Sequence, residues 1–244
     1  MYGYFAEIYD KLTANAQYEK RARFVMSIFE KYSHKPSLML DLCCGTGSFA
    51  AEFVKYGTDI IGVDQSESML AFAREKCKAL FICQDARKLD LYGTVDGAVC
   101  MLDSINHITR KDDLLKIFKR VSLFLEKDKL FVFDINTPYK HKEVLSDNCF
   151  SYDTDEFFAV WQNQAVKNGT HIFIDVFKPN GEKYDRFSED FFERAYTLDE
   201  ITDLLKQSNF EVVKVLGDMK FCAPKADEQR IYIVAKNKKP DNTI

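Results

Sequence analysis

Leu38-Met39-Leu40-Asp41-Leu42-Cys43-Cys44-Gly45-Thr46-Gly47-Ser48-Phe49-Ala50-Ala51 begins as a short apolar run, passes two glycines and continues as a helical pattern. The apolar run predicts a buried strand, and the residues after the second glycine predict a helix. Glycine allows positive φ and a close approach of a ligand to the backbone, and a helix N-terminus offers unpaired N–H groups. A strand, a glycine turn and a helix in this order are typical of a nucleotide-binding site.

Two kinds of nucleotide site compete for this turn. Residues 45–50 fit the spacing G-x-G-x-x-A, which is the dinucleotide fingerprint of nicotinamide enzymes. That fingerprint makes no use of an acid before the glycines, yet Asp41 stands four residues before Gly45. The glycine spacing alone therefore does not identify the cofactor.

The rest of the chain alternates between strand and helix patterns. Further apolar strands are predicted over 59–64, 79–83, 95–101 and 129–134, with helical patterns between most of them. Two final strands, 210–216 and 229–236, follow a helix that Thr197 caps and are expected to form an antiparallel pair. Continuous apolar strands indicate a parallel sheet covered on both faces. We therefore predict an α/β fold with a doubly wound, mostly parallel, seven-stranded Rossmann-like sheet.

One segment interrupts this alternation. Asn168-Gly169 and Asn180-Gly181 each separate two strand-like runs, which is the strongest short-range signal for a β-hairpin. Residues 147–195 are therefore predicted to be an inserted antiparallel β-meander, which forms a substrate roof or an oligomer contact. The predicted main domain comprises 1–146 plus 196–236, with 1–35 as an N-terminal lid and helix. Residues 2–13 read as aromatic and irregular, and 237–244 as a loose tail.

Composition narrows the classes of function. The 244-residue chain has a net charge of −4, so its overall charge disfavours binding to nucleic acid or to an anionic membrane. No apolar run reaches the roughly 18 residues of a membrane span, and the N-terminus has no signal-peptide pattern. Seven cysteines, several of them within apolar strands, indicate core thiols in a reducing compartment. We expect a cytoplasmic protein with no metal site and no membrane partner, either a monomer or a homodimer.

Acids stand where several predicted strands end. Ligands in open α/β sheets bind beyond the carboxyl ends of the strands. Asp64 ends the second strand, and a carboxylate there can accept both hydroxyls of a ribose, in a nicotinamide site as in other nucleotide sites. Asp85 follows the third strand, a position where the dinucleotide fingerprint makes no specific demand.

The residues 40–47, Leu-Asp-Leu-Cys-Cys-Gly-Thr-Gly, resemble the first motif of the class I S-adenosylmethionine (SAM) methyltransferases, which has an acid four residues before the first glycine. The resemblance extends to about residue 236 and is strongest across 38–107. It implies that Asp41 binds the ammonium of the methionine moiety, Asp64 the ribose, and Asp85 with Ala86 the adenine. The cofactor-binding residues that it implies are Tyr9, Asp41, Gly45, Thr46, Gly47, Asp64, Gln65, Asp85, Ala86, Met101, Leu102, Asp103 and Asn106. Tyr9 belongs to a segment, 5–10, that in similar enzymes folds over the cofactor.

The sequence does not name a catalytic residue. Methyl transfer from a sulfonium is an in-line displacement that requires mainly alignment and exclusion of water. His107 is either a catalytic residue or one that packs against the following helix. The expected activity is transfer to a nitrogen or oxygen (less so a carbon) of a small molecule, with S-adenosylhomocysteine as product. A SAM-binding regulatory module without turnover and a nicotinamide-dependent oxidoreductase remain the alternatives.

Overall fold

The computed structural model describes residues 3–240, which form one large and one small β-sheet with helices around them. The large sheet contains β1 (Leu38–Leu42), β2 (Asp59–Asp64), β3 (Leu80–Cys83), β4 (Val95–Cys100), β5 (Leu125–Asn136), β10 (Phe210–Gly217) and β11 (Arg230–Asn237). The small sheet contains β6 (Cys149–Asp153), β7 (Phe158–Val166), β8 (Gly169–Asn180) and β9 (Lys183–Arg194). The predicted fold class is confirmed.

Strand order in the large sheet is β10-β11-β5-β4-β1-β2-β3, and all neighbouring pairs from β5 to β3 are parallel. β11 is antiparallel to both β5 and β10, as predicted for the last two strands. The chain order reverses between β1 and β4, so their carboxyl ends border a crevice. Such a switch point is where open α/β sheets bind their ligands.

Helices cover both faces of the large sheet. They are α1 (Gly3–Leu12), α2 (Tyr18–Tyr32), α3 (Ser48–Val54), α4 (Glu67–Lys76), α5 (Lys111–Phe124) and α6 (Leu198–Lys206). One buried cluster packs α5 and α6 on one face of the sheet, and a second packs α2, α3 and α4 on the other. Both faces of the strands are therefore buried, which explains why the strands are apolar throughout. None of the helices within the described residues is long and apolar enough to cross a membrane.

The N-terminal segment differs from its prediction. Residues 3–12 form the helix α1, whereas the sequence predicted an irregular segment for 2–13. Ile8 and Leu12 of α1 are buried against Ile172, Ile174 and other apolar residues of the small sheet. The amphipathic face of this short helix is stabilised by strands more than 140 residues away, and a local reading of the sequence could not include that contact. Residues 1 and 2 lie outside the described part of the chain.

The predicted insertion after β5 is an antiparallel sheet. Both Asn-Gly turns join neighbouring strands, with Asn168 at φ 67° and Gly181 at φ 61°. The sheet has four strands, because β6 pairs with β7 in addition to the three strands that the sequence predicted. A six-residue π-helical turn, Lys140–Leu145, joins β5 to β6.

The C-terminal tail begins later than predicted. Asn237, which was expected in a loose tail, is the last residue of β11 and is fully buried. Its side-chain amide donates hydrogen bonds to the carbonyls of Ser122 and Leu125, at 2.8 and 2.7 Å. Lys239 is also buried. Residues 241–244 lie outside the described part of the chain, so the prediction for them is not tested.

Candidate active site

A cleft of about 330 Å³, its open mouth included, lies where β1 and β4 end. The glycine turn after β1 forms one side of it, and Met101, Leu102 and Ser104 after β4 form another. Tyr9 of α1 also lines the cleft. The cleft therefore lies at the switch point of the sheet, and the ends of β1 and β4 and the helix α1 border it.

The two glycines of the turn differ in their surroundings. Both have positive φ, 53° at Gly45 and 71° at Gly47, a backbone conformation that favours glycine. A Cβ on Gly47 would lie 2.8 Å from the Cβ of Ala73, whereas a Cβ on Gly45 would meet nothing within 4 Å. Gly47 therefore allows α3 and α4 to pack closely, and Gly45 leaves the backbone open toward the cleft.

Asp64 connects the end of β2 to the glycine turn. One of its carboxylate oxygens accepts a hydrogen bond from the backbone N–H of Gly45 at 2.9 Å, and the other accepts from that of Ser66, also at 2.9 Å. Burial raises the pKa of Asp64, and these backbone donors oppose that rise. The carboxylate fixes the turn and retains further acceptor capacity, because each oxygen can accept more than one hydrogen bond.

Asp41 is a buried acid with an unpartnered carboxylate oxygen. It is 2% exposed, and its Oδ2 has no hydrogen bond within the described residues. Burial, with a smaller contribution from the charge of Asp64, raises its pKa to about 8. A buried carboxylate is costly unless it is paired. An ammonium group bound in this cleft would supply the missing partner.

Helix α1 is attached to the glycine turn by Asp10. One oxygen of this carboxylate accepts hydrogen bonds from the hydroxyls of Thr46 at 2.6 Å and Ser48 at 3.0 Å. The ammonium of Lys76 on α4 forms an ion pair with the same carboxylate. Tyr9 precedes this contact, and burial raises the pKa of its phenol far above the usual value. The helix thus covers the cleft and places a neutral phenol in it.

Two residues after β4 hold an unusual backbone conformation. Leu102 and Asp103 both have φ of 52°, which is strained for residues other than glycine. The fully buried carboxylate of Asp134 on β5 accepts the N–H groups of both residues, at 3.0 and 2.7 Å. Arg230 on β11 donates to Asp134 at 2.5 Å and to Asp103 at 2.7 Å. This buried network fixes the strand end that borders the cleft.

Charges around Asp103 determine its ionisation. Burial favours the neutral acid, but Arg230 and Lys140 outweigh burial and hold the pKa of Asp103 well below its usual range. Its second oxygen accepts a hydrogen bond from the amide of Asn136 at 3.0 Å. Both oxygens of Asp103 are therefore engaged by protein groups.

A second buried carboxylate, Glu193 at the end of β9, lies on the far side of Asn136. It is 3% exposed, and its Oε2 accepts a hydrogen bond from the same Asn136 amide at 3.2 Å. Its Oε1 is 3.7 Å from Nε2 of His107. The His107 ring is partly exposed and packs on Phe191, with 4.9 Å between the ring centroids. Glu193 therefore lies where the small sheet meets the carboxyl edge of the large one.

These side chains also offer a possible set of metal ligands. One ligand atom each from Asp103, His107 and Glu193 lies within 4.8 Å of the others. Arg230 already pairs with Asp103, and the ammonium of Lys140 lies 2.9 Å from Oδ1 of Asn136. A divalent cation would add positive charge beside two cations. The predicted absence of a metal stays a prediction.

Known proteins resemble this chain in sequence and in fold. A methyltransferase domain family model matches residues 39–128, which include the glycine turn and the ends of β2, β3 and β4. A solved S-adenosylmethionine-dependent methyltransferase from Clostridium acetobutylicum ATCC 824 is 34% identical, with a TM-score of 0.88, over 98% of this chain and 99% of that one. The chain belongs to the SAM-dependent methyltransferases.

Two curated relatives agree with this family. A Bacillus subtilis (strain 168) protein named as a methyltransferase, YqeM, is 31% identical, and the match covers 98% of both chains. A dTDP-3-amino-3,4,6-trideoxy-alpha-D-glucopyranose N,N-dimethyltransferase from Streptomyces venezuelae is 26% identical over 70% of this chain and 73% of its own. The predicted enzyme class is confirmed, and the nicotinamide oxidoreductase and regulatory-module alternatives are set aside.

The structure brings many of the predicted cofactor residues of this methyltransferase together. Those that line the cleft are Tyr9, Asp41, Gly45, Thr46, Met101 and Leu102. Asp64 contacts the glycine turn through the N–H of Gly45, and the exposed Gln65 follows Asp64 in the chain. Asp85 and Ala86 lie at the end of β3, where both oxygens of Asp85 accept hydrogen bonds from the Arg87 guanidinium. Whether these residues contact the methyl donor stays a prediction.

Whether Asn106 contacts the methyl donor stays a prediction. The sequence placed it among the cofactor residues, but it is fully buried, and its amide donates to the carbonyls of Asn136 and Arg194. Its Oδ1 accepts the N–H of Asn136 at 2.9 Å. Asn106 therefore joins the loop after β4 to β5 and to the small sheet, through both the NH₂ group and the oxygen of its amide.

Sequence reasoning missed several residues of the site. Asp134 and Arg230 fix the end of β4, Asp10 attaches α1, and Glu193 approaches from the small sheet. One signal was available, because Asp134 is the one acid inside the otherwise apolar run 130–135. A charge at such a position indicates a buried, paired group. Its partner lies 96 residues further along the chain, and nothing local identifies it.

Proposed function

We propose that this methyltransferase transfers the methyl group of SAM to a nitrogen or oxygen atom of a small molecule, by in-line displacement, and releases S-adenosylhomocysteine. The main support for the proposal is that α1 and the small sheet border the cleft. Helix α1 closes one side through Asp10 and Tyr9, and the small sheet meets the strand ends through Glu193 and Arg194. A cleft bordered by α1 and by the small sheet supports a small acceptor over a macromolecular one.

The described residues fit the methyl donor. Asp41 has the unpartnered buried oxygen that the ammonium of a methionine moiety would satisfy. We propose Asp64 and Gln65 for the ribose, Asp85 and Ala86 for the adenine, and the strand end at Met101 for the methionine chain. When bound, SAM supplies an activated methyl group on a positively charged sulfur. The chain positions the donor, excludes water with α1 and holds the strand end after β4 rigid through Asp134.

The small sheet supplies the acceptor side in this proposal. We assign 147–195 the role of a substrate roof, inserted into a main domain of 1–146 plus 196–236. Phe191 and His107 form an aromatic contact beside the strand ends, which supports an acceptor with a ring or an apolar face. The Streptomyces venezuelae relative is named for an amino sugar joined to a nucleotide, which supports a polar small molecule. A cytoplasmic location and a monomer or homodimer remain part of the proposal.

The experiment is a turnover assay with SAM and a panel of small amines, hydroxy compounds and carboxylates, in which release of S-adenosylhomocysteine is measured. We expect release with at least one amine or hydroxy compound. Calorimetry with SAM provides the control, because it reports the donor site independently of the acceptor. Tight SAM binding together with no release from any compound would contradict the proposal of a small-molecule acceptor.

A further inference from the structure

Glu193 has a feature that donor binding does not explain. Only 3% of the residue is accessible to solvent. The Asn136 amide donates a hydrogen bond to Oε2 and leaves Oε1 without one. Oε1 has no hydrogen bond within residues 3–240, and it faces the ring of His107 at 3.7 Å. Neither ring nitrogen of His107 has a hydrogen bond in that part of the chain, and the side chain is 42% exposed. A buried carboxylate oxygen is thus left open on the side that solvent can reach.

Titratable groups from four segments of the chain surround Glu193. The loop after β4 contributes Asp103 and His107, β5 contributes Asp134, β11 contributes Arg230, and the π-helical turn contributes Lys140 and His141. Burial, and then the charge of Lys140, lowers the pKa of His141 to about 4, so it is neutral at pH 7. The ring of His107 lies beside Oε1 at 3.7 Å, but it leaves that oxygen without a hydrogen bond within the described residues. The N–H group of an ammonium would supply the donor that Oε1 lacks.

The position of Glu193 relates it to the donor cleft. Asn136 bridges it to Asp103, with 3.2 Å to Glu193 and 3.0 Å to Asp103. Asp103 stands between Leu102 and Ser104, which line the cleft. Glu193 is therefore separated from the wall of the donor cleft by one bridging amide, on the side where the small sheet covers the strand ends.

We propose that Glu193 binds the acceptor, that the acceptor is a small molecule with a basic amine, and that the carboxylate takes the proton which this amine must lose. The inference rests on the proposed function and specifies its acceptor. A protonated amine has no free electron pair, so it becomes a nucleophile only after losing a proton. Burial, reinforced by the charge of Asp103, raises the pKa of Glu193 and makes it a stronger base, whereas His107 and Lys140 oppose the shift.

The ammonium gives one proton to the Glu193 carboxylate, which becomes a neutral acid. The amine nitrogen then forms a bond to the methyl carbon, while the carbon–sulfur bond breaks and its electron pair stays on sulfur. The products are a neutral thioether and a methylated ammonium. The proton on Glu193 leaves to solvent past the exposed edge of His107.

The test compares Glu193→Gln with Asp190→Asn. Both substitutions exchange a carboxylate for an amide on β9, and both carboxylates face a histidine, but Asp190 pairs with His171 on the exposed small sheet at 2.9 Å. The probes are a dTDP-linked 3-amino hexose, its 3-hydroxy counterpart, and an aminooxy counterpart whose nitrogen is neutral at pH 7. Turnover is followed from pH 6 to 9, and SAM affinity is measured by calorimetry.

We expect Glu193→Gln to lower kcat for the amino hexose about 100-fold and to remove the acidic limb of its pH profile. The aminooxy probe, which needs no deprotonation before attack, should lose less than about fivefold. Asp190→Asn should behave like the wild type with both probes. SAM affinity should change by less than about threefold in either variant, since neither residue is assigned to the donor.

Several results would overturn the inference. Equal losses with the amino and aminooxy probes would show that Glu193 acts only through structure. Turnover of the 3-hydroxy probe alone would refute the amine but leave the small-molecule proposal intact, whereas silence of all three probes and of the wider panel would refute both. Activity that chelation abolishes and a divalent cation restores would assign Asp103, His107 and Glu193 to a metal. Glu193→Asp keeps the charge and should regain part of the activity, and a thermal melt verifies that each variant is folded.

Discussion

The two sides of the cleft are built in different ways. On the proposed donor side, Asp41, Gly45, Gly47 and Asp64 lie within 24 residues of sequence, and the Asp64 carboxylate fixes the glycine turn through the backbone N–H of Gly45. On the acceptor side, Asp103, Asp134, Glu193 and Arg230 come from four separate segments and act through side-chain hydrogen bonds. The first arrangement depends on local chain geometry, and the second depends on the completed fold. Changes on the two sides should therefore have different consequences.

The largest effect is expected from Asp134→Ala on the acceptor side. Removing this carboxylate leaves Arg230 buried with one partner fewer and frees the strained N–H groups of Leu102 and Asp103. Breaking a buried ion pair costs about 3–5 kcal/mol, so we expect a decrease of that size in the free energy of unfolding. Urea denaturation measures it.

The matched control for this variant is Asp128→Asn. Asp128 also forms an ion pair, with Lys238 at 2.6 Å, but both side chains are about half exposed. Its φ of 61° is one that asparagine tolerates. We expect the free energy of unfolding to remain nearly the same. A similar loss in both variants would mean that burial of the network around Asp134 contributes little.

Asp64→Ala should lower the affinity for SAM and leave the buried network around Asp134 intact. It removes a charged acceptor from the proposed ribose site and from the N–H of Gly45. Hydrogen bonds to charged groups contribute about 1.5–3 kcal/mol, so SAM affinity should fall at least tenfold in calorimetry. Asp59→Ala, at the exposed start of the same strand, serves as the control and should bind SAM normally. Unchanged affinity in Asp64→Ala would refute the assignment of Asp64.

The two glycines should differ when each is changed to alanine. Both substitutions place a Cβ at positive φ, but only Gly47→Ala also creates a close contact with Ala73. Overpacking costs about 1–3 kcal/mol in addition to the backbone strain. The free energy of unfolding should therefore fall further for Gly47→Ala than for Gly45→Ala. Equal losses in the two variants would mean that α3 and α4 can separate to accommodate the methyl group.

A pH dependence should distinguish Asp41 from the other acids of the donor side. Its folded pKa of about 8 lies above the unfolded value of 3.8, so the folded protein holds an extra proton between these pH values. Without ligand, its contribution to stability is complete below about pH 4 and is lost as the pH rises to about 8. An ammonium partner favours the carboxylate, so SAM affinity should rise roughly tenfold from pH 6.5 to 8.

The substitution Asp41→Asn tests this dependence. It removes the titrating group, so both the stability of the free protein and its SAM affinity should lose their slope between pH 6.5 and 8. Calorimetry at several pH values, with urea denaturation of the free protein, measures the two slopes. A slope that persists in Asp41→Asn would assign the titration to another residue.

The contrast between the two sides also explains what the sequence could predict. The run Leu38–Leu42, the glycine turn and the acid of Asp64 predicted the large sheet and the enzyme class, because each signal depends on residues close in sequence. Helix α1 was missed because Ile8 and Leu12 pack on strands of the distant small sheet. The hydrogen bonds from Asn106 to the carbonyls of Asn136 and Arg194 were not predicted, because only the fold brings these groups near. Glu193 was missed because β9 contains several exposed acids, and only the fold brings Asn136 into contact with this one.

The packing of α1 on the small sheet has a consequence for synthesis on the ribosome. Residues 3–12 emerge before the strands that bury them, because Ile172 and Ile174, which cover the apolar face of the helix, are made about 160 residues later. The donor-binding strands β1 to β4 are complete long before then. Because α1 can pack only after β8 has been made, the cover of the cleft closes after the donor-binding strands are complete, although α1 precedes them in the sequence.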